Sequence, residues 1–189
     1  MERKLGEKAS PIDRLQVFIA QVKRLGFRET PGIRGEATLI VRDAKTMHVL
    51  REQCIRNILT EGGLSLFAQA MKSPFETADK RYYWYLVLGT GSGTPSASDT
   101  GLFTPVAASV KHGTISQTGA QYQYYVRYLP EDANGYTYTE AGIYDHVGYT
   151  DGTPKSYDTG TLLNHLMLTP NLTKDATILV DFYVTITFS

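Results

Sequence analysis

The stretch Ile178–Phe188, ILVDFYVTITF, sets Ile178, Val180, Phe182, Val184, Ile186 and Phe188 on one side of an extended backbone. Thr177, Asp181, Thr185 and Thr187 fall on the other side. Six successive apolar positions on one face need a covering layer, so this strand belongs in a sheet packed against a second layer. Upstream, residues 37–43 (ATLIVRD) and 48–55 (HVLREQCI) show the same period of two and are joined by a short polar segment that suits a hairpin. Residues 82–88 (YYWYLVL), 106–118, 122–129 (QYYVRYL with its leading Tyr) and 136–144 (YTYTEAGIY) add further strand candidates. Asn134-Gly135 between the last two supplies positive φ angles and predicts a second hairpin.

Two helices interrupt this pattern. Ser10-Pro11 starts one, and Ile12, Leu15, Ile19 and Val22 form its apolar stripe until Leu25-Gly26 ends it. A turn-rich linker, residues 30–35, follows. A second helix is predicted over 61–71, with Leu64, Phe67, Ala68 and Met71 on one face and Gly62-Gly63 at its opening, where close backbone approach would explain the glycines. The fold expected is mainly β: a single β-sandwich or jelly-roll-like domain over 36–189, with residues 1–35 as an N-terminal helix and linker serving as an attachment arm.

With 189 residues the chain can fill one core, and 13 tyrosines with 17 glycines favour strands and turns. Net charge is zero but unevenly placed: residues 1–81 carry 15 Lys and Arg against 10 acids, residues 82–189 carry 4 against 9. Such asymmetry suits contact between unlike halves of neighbouring copies, and a homo-oligomer is expected. No apolar run is long enough to span a bilayer, so no membrane partner is expected. Cys54 is the sole cysteine and reads as a packed core thiol.

Chemistry-bearing patterns are sparse. Residues 89–93 (GTGSG) follow a strand but lack the Lys-Ser/Thr of a phosphate loop and the helix of a dinucleotide fingerprint, so a mobile surface loop is expected. Asp145, His146 and Asp151 lack a third nitrogen or sulfur ligand for zinc and the tight oxygen spacing of a calcium loop. A hydrolase would need Glu131, Asp132, Glu140 or Asp145 to converge. No catalytic, cofactor or metal residue is assigned. The basic run Arg14–Arg34 is diluted by Glu29, so nucleic acid is not an expected partner. Among the aromatics, Tyr124, Tyr136 and Tyr138 are candidate exposed contacts for a host glycan or a protein surface, unless they close the core.

Four segments in order carry a resemblance. Asn57, Ile58, Leu59, Thr60 and Gly63 match N-[LI]-x-T-x-x-G; Gly89, Thr90, Gly91, Asp99, Thr100 and Leu102 match a G-T-G turn ending in D-T-x-L. Glu140–Asp145 match E-A-G-[LI]-[FY]-D, and Gly160, Thr161, Leu162, Pro170 and Lys174 match a closing G-T-L, P-x-x-x-K and strand. Over residues 36–189 the chain resembles structural proteins of tailed-bacteriophage virions, of tail-fibre, collar or baseplate type. That resemblance implies a virion component assembled in the host cytoplasm, with other virion proteins as partners and no catalysis; a capsid decoration protein and a glycan-binding receptor module are the alternatives. Relatives often carry Arg after D-T-x-L and after G-T-L, where this chain has Thr104-Pro105 and Asn164-His165. Independently of any family, Gly142 is expected to mark a bulge or close contact, and Gly89 and Gly91 a sharp exit from the sheet.

Overall fold

The computed structural model describes residues 32–72, 84–145, 148–150, 153–156 and 160–188. Among them are twelve strands: β1 Ile33–Asp43, β2 Val49–Arg56, β3 Ile58–Leu59, β4 Tyr85–Gly89, β5 Lys111–His112 and β6 Thr114–Thr118, then β7 Gln121–Tyr128, β8 Tyr136–Tyr144, β9 Gly148–Thr150, β10 Thr153–Ser156, β11 Leu162–Lys174 and β12 Ile178–Phe188. The one α-helix among these residues is α1, Glu61–Lys72, and a single 3-10 turn spans Ala107–Ser109. The protein is mainly β, built on two five-stranded antiparallel sheets, β2-β1-β12-β7-β6 and β3-β11-β8-β4-β5, with β9 and β10 forming a separate ribbon. The predicted N-terminal helix with Ile12, Leu15, Ile19 and Val22 lies outside the described residues.

β12 is the centre of the first sheet, in register with β1 from Ile33↔Phe188 to Asp43↔Ile178 and with β7 on its other side. Its alternation works as the sequence predicts: Val180, Phe182, Val184 and Ile186 are buried. Val180, Phe182 and Val184 share one core with Leu86, Leu88, Ala141, Ile143, Leu163 and Leu166 of the second sheet. Each such side chain contributes roughly 1.5–3 kcal/mol by leaving water, which makes this shared core the main stabilising term.

The chain passes between the sheets at single residues. Asn57 alone separates β2 from β3, and Gly113 alone separates β5 from β6. At Gly113 a Cβ would sit 2.6 Å from the Tyr125 carbonyl oxygen, so only glycine turns this corner. The predicted hairpin around Asn134-Gly135 is corrected: β7 and β8 lie in opposite sheets, and residues 129–135 arch between them. Positive φ falls at Ala133 and Gly135. The arch is fastened to its surroundings because Gly135 N–H donates to Lys174 O and the Tyr138 hydroxyl donates to Ala133 O, which a free hairpin turn would not need. The hairpin between β1 and β2 is as expected.

Helix α1 starts where the sequence places it. Thr60 Oγ1 accepts from Gly63 N–H at 3.0 Å, an N-cap bond, and its hydroxyl donates to Leu162 O. A Cβ on Gly63 would come within 2.8 Å of the Leu163 backbone, so the glycine lets the helix rest on β11. Phe67 packs on the core, and Leu66, which lies outside the predicted face of Leu64, Phe67, Ala68 and Met71, packs there too. Trp84 lies edge-on to Phe67, ring centroids 5.8 Å apart. Cys54 is also corrected: it is exposed on edge strand β2, on the face opposite the core residue Ile55, and its thiol donates to Glu36 Oε1 at 2.8 Å.

Candidate functional site

Residues 90–104 form a cover over the outer face of the second sheet, after which Pro105 and Val106 run along the edge of β4. On β4, Leu86 and Leu88 point into the main core, so Val87 between them points out; it packs with Tyr144, Leu162 and Leu102 of the cover. Beneath the cover lies a polar cluster. Glu140, on β8 and fully buried, accepts from three cover amides: Gly91 N–H at 3.0 Å and Thr104 N–H at 2.7 Å on Oε1, Phe103 N–H at 2.9 Å on Oε2. His165 of β11, also fully buried, places Nε2 2.9 Å from Glu140 Oε2 and Nδ1 2.6 Å from Asp99 Oδ2. Asp99 also accepts from Ser96 N–H at 2.8 Å, closing the loop tip, and the Phe103 ring lies 4.7 Å from the imidazole.

Two of the fold glycines, Gly89 and Gly91, belong to this clamp. A Cβ on Gly89 would lie 2.7 Å from Glu140 Cγ, and one on Gly91 would collide with the same carboxylate. Gly142 faces Leu162 Cδ1 and Asn164 O at 2.7 and 2.9 Å from its would-be Cβ, opposite the register shift between Leu162 and Asn164. Gly63 seats α1 on the same strand. All four sites therefore mark close approach.

Electrostatics follow from the geometry. Burial pushes the Glu140 carboxyl up, but His165 and the three amides outweigh it and hold it below the ordinary value. For His165 burial works against the charged form, yet the bonds to Glu140 and Asp99 leave it raised. Both ring nitrogens are engaged by carboxylates, so neither is free to accept a proton from a substrate.

The other acids named from the sequence do not join this cluster. Asp132 pairs with Lys111, and Asp145 accepts from Thr161 N–H at 2.7 Å. His146 and Asp151 lie outside the described residues, and among those described no group of three His, Cys, Asp or Glu could hold a metal. Of the candidate aromatic contacts, Tyr124 and Tyr138 are buried, with their hydroxyls given to backbone carbonyls, and only Tyr136 is exposed. Their place as contacts is corrected to core, because residues 124 and 138 sit on inward faces. Loop 89–105, expected to be a mobile surface loop, is fastened by Glu140. Among the described residues no helix is long and apolar enough to cross a membrane.

Sequence reasoning missed His165 and Asp99 as partners of Glu140. The signal was present only as an acid inside the glycine loop and a histidine in an apolar strand, two features with no local relation. It also missed Asp181, fully buried on the outer face of β12, where Arg127 Nε donates at 2.6 Å, Tyr125 hydroxyl at 2.8 Å and Arg42 Nε at 3.0 Å. A cleft of about 290 Å³ opens beside the clamp, lined by Gln53 to Arg56, Ile58, Pro95, His165, Met167 and Thr169.

The geometry thus defines a two-sheet β protein whose outer loop is clamped by a buried carboxylate. Compared with protein-family models, curated proteins and solved structures, the chain matches none.

Proposed function

We propose that this chain is a structural component of a tailed-phage virion that oligomerises and links tail, neck, collar or fibre parts. The observation that carries the reading is the meeting in space of landmarks that lie far apart in the sequence. Gly89, Gly91 and Asp99 of the loop motif join Glu140 and Gly142 of the acidic motif; Asn57, Thr60 and Gly63 of the helix motif join the strand that follows Gly160-Thr161-Leu162. Asn57 Oδ1 accepts from Asn164 Nδ2 at 2.9 Å across 107 positions. Motifs that resemble a family in order, and that also build one framework, behave as fold-bearing residues of that family.

In this reading residues 36–189 form a β-sandwich or jelly-roll-like body, and residues 1–35 are the attachment arm that joins other virion proteins. The protein resides in the particle. The glycan-binding reading loses two of its three tyrosines to the core, which favours assembly over receptor binding. Mass spectrometry of gradient-purified particles tests the proposal: the chain is expected in fixed stoichiometry with the other tail proteins, and its absence from washed particles overturns it. Deleting residues 1–34 is expected to abolish incorporation while the body still folds; a truncated protein that unfolds would sink the attachment arm.

A further inference from the structure

The Asp99–His165–Glu140 chain poses a proton-counting problem. Carboxylates only accept, and a neutral imidazole donates from one nitrogen alone, yet both nitrogens of His165 face carboxylate oxygens at 2.6 and 2.9 Å. Glu140 has no room for a proton, since its two oxygens already take the Gly91, Thr104, Phe103 and His165 bonds. Asp99, at 17% exposure, reaches solvent. Of the two kinds of group an imidazole is the stronger base, so the proton goes to the ring.

We propose that residues 90–104 are a strap locked by a doubly protonated His165, and that loss of one ring proton frees the tip at residues 95–99 while the Glu140 half stays fastened. The neutral ring keeps its Nε2 proton, because Glu140 is fully buried and has no water to turn to. Its bare Nδ1 then faces Asp99 with no proton between them, and Asp99 swings to solvent. Ser96 N–H loses its acceptor, and Pro95 withdraws from the cleft that it lines with Ile58 and Met167. One further bond must yield, from Glu61 N–H of α1 to Ala97 O at 2.8 Å.

The groups that bear on His165 are few. Glu140 faces it from β8 and Asp99 from the strap; Phe103 covers it with a ring. Tyr144, also on β8, directs its hydroxyl to Leu102 N–H, 2.9 Å away. Cys54 and Arg56 reach the cleft from β2, and Glu61 stands at the start of α1. Burial works against the ring's charge, but the bonds to Glu140 and Asp99 leave its value raised, so the strap stays closed to higher pH than a free imidazole would hold its proton and opens as pH rises through that value.

The test is long-range proton–nitrogen NMR of the full-length, histidine-labelled protein from pH 5 to 10, with amide exchange followed in parallel. Both ring nitrogens of His165 are expected to show imidazolium shifts below a midpoint that lies above the ordinary ~6.5. The Ser96 amide should lose protection through the same midpoint while Gly91 and Thr104 keep theirs. Asp99→Asn, a change in the partly exposed strap tip, should lower that midpoint by about one pH unit or more. A His165 midpoint at or below the ordinary value, a Ser96 amide protected throughout, or an Asp99→Asn midpoint unchanged would each overturn the proposal.

Discussion

Replacing Glu140 with Ala removes the acceptor of three cover amides and of His165 Nε2 in one step. A buried donor left without a partner costs about 1–3 kcal/mol, more when the lost partner was charged. Four such losses do not add in full, because the cover can lift and let its amides reach water. The floor is the value for breaking a buried charged pair, about 3–5 kcal/mol. Lifting also takes Leu102 off Val87 and Leu162, so the loss is not recovered elsewhere. For a chain of this size each kcal/mol lowers Tm by about 2–4 °C, so a loss of about 3–5 kcal/mol puts Glu140→Ala roughly 6–20 °C below the wild type. Trp84, the sole tryptophan, packs between Phe67 and Tyr124 and reports unfolding in guanidinium. Glu140→Gln keeps an oxygen for Gly91 and Thr104 but turns an amide donor toward Phe103 N–H and His165, for an intermediate loss of about 2 kcal/mol. A loss below about 1 kcal/mol for Glu140→Ala would refute the view that this carboxylate holds the cover.

Further outcomes follow from single contacts. Gly63→Ala forces α1 away from the Leu163 backbone and should cost about 1–3 kcal/mol by the same unfolding assay, despite the better helix propensity of alanine; a gain in stability would contradict the close approach. Asp181→Asn should cost about 1–2 kcal/mol at pH 7, a figure discounted because Arg42 and Arg127 are partly exposed. Burial raises the Asp181 carboxyl but Arg127, Tyr125 and Arg42 pull it below its ordinary value, so its contribution is full above that value and is lost as pH falls through the depressed one. Wild-type and Asp181→Asn denaturation curves should therefore converge in strong acid, and a gap that persists there would argue against the ion cluster. Cys54, although exposed, has its thiol raised by donation to Glu36, then by burial and the negative charge, and should alkylate more slowly than a free thiol at pH 8. Glu36→Gln should speed that reaction, and equal rates would remove the Glu36 contact from the account. Tyr124→Phe deletes a bond to Trp84 O at 2.8 Å and should lower stability by about 1 kcal/mol without altering secondary structure, as read by circular dichroism.

The parts of the fold that the sequence made legible were those where one face of one strand decides the outcome. β12 announced its register through six alternating positions, and the hairpin of β1 and β2 followed from two such runs and a short turn. What stayed hidden was set by the second sheet. Asn134-Gly135 reads as a hairpin because positive φ serves an arch as well as a tight turn, and no local feature tells which sheet the next strand will join. Tyr124 and Tyr138 looked available for contact because a tyrosine on an imperfectly alternating strand carries no mark of which face is core. Cys54 was placed inside because an edge strand alternates like a central one. At the clamp, Gly142 was legible as a bulge or close contact and Gly89 and Gly91 as a sharp exit from the sheet, but the group that packs against Gly89 and Gly91 was not. It is the Glu140 carboxylate, whose partners His165 and Asp99 come from segments that only the packed sheets bring together.

The measurement that tests the central claim most directly is immunogold electron microscopy of phage particles from the source lysate, with antibody raised against residues 36–189. Label is expected at the tail, neck or fibres; label spread over the head would move the protein to a decoration role. Unlabelled particles alongside a strong signal in the soluble fraction would contradict a place in the virion.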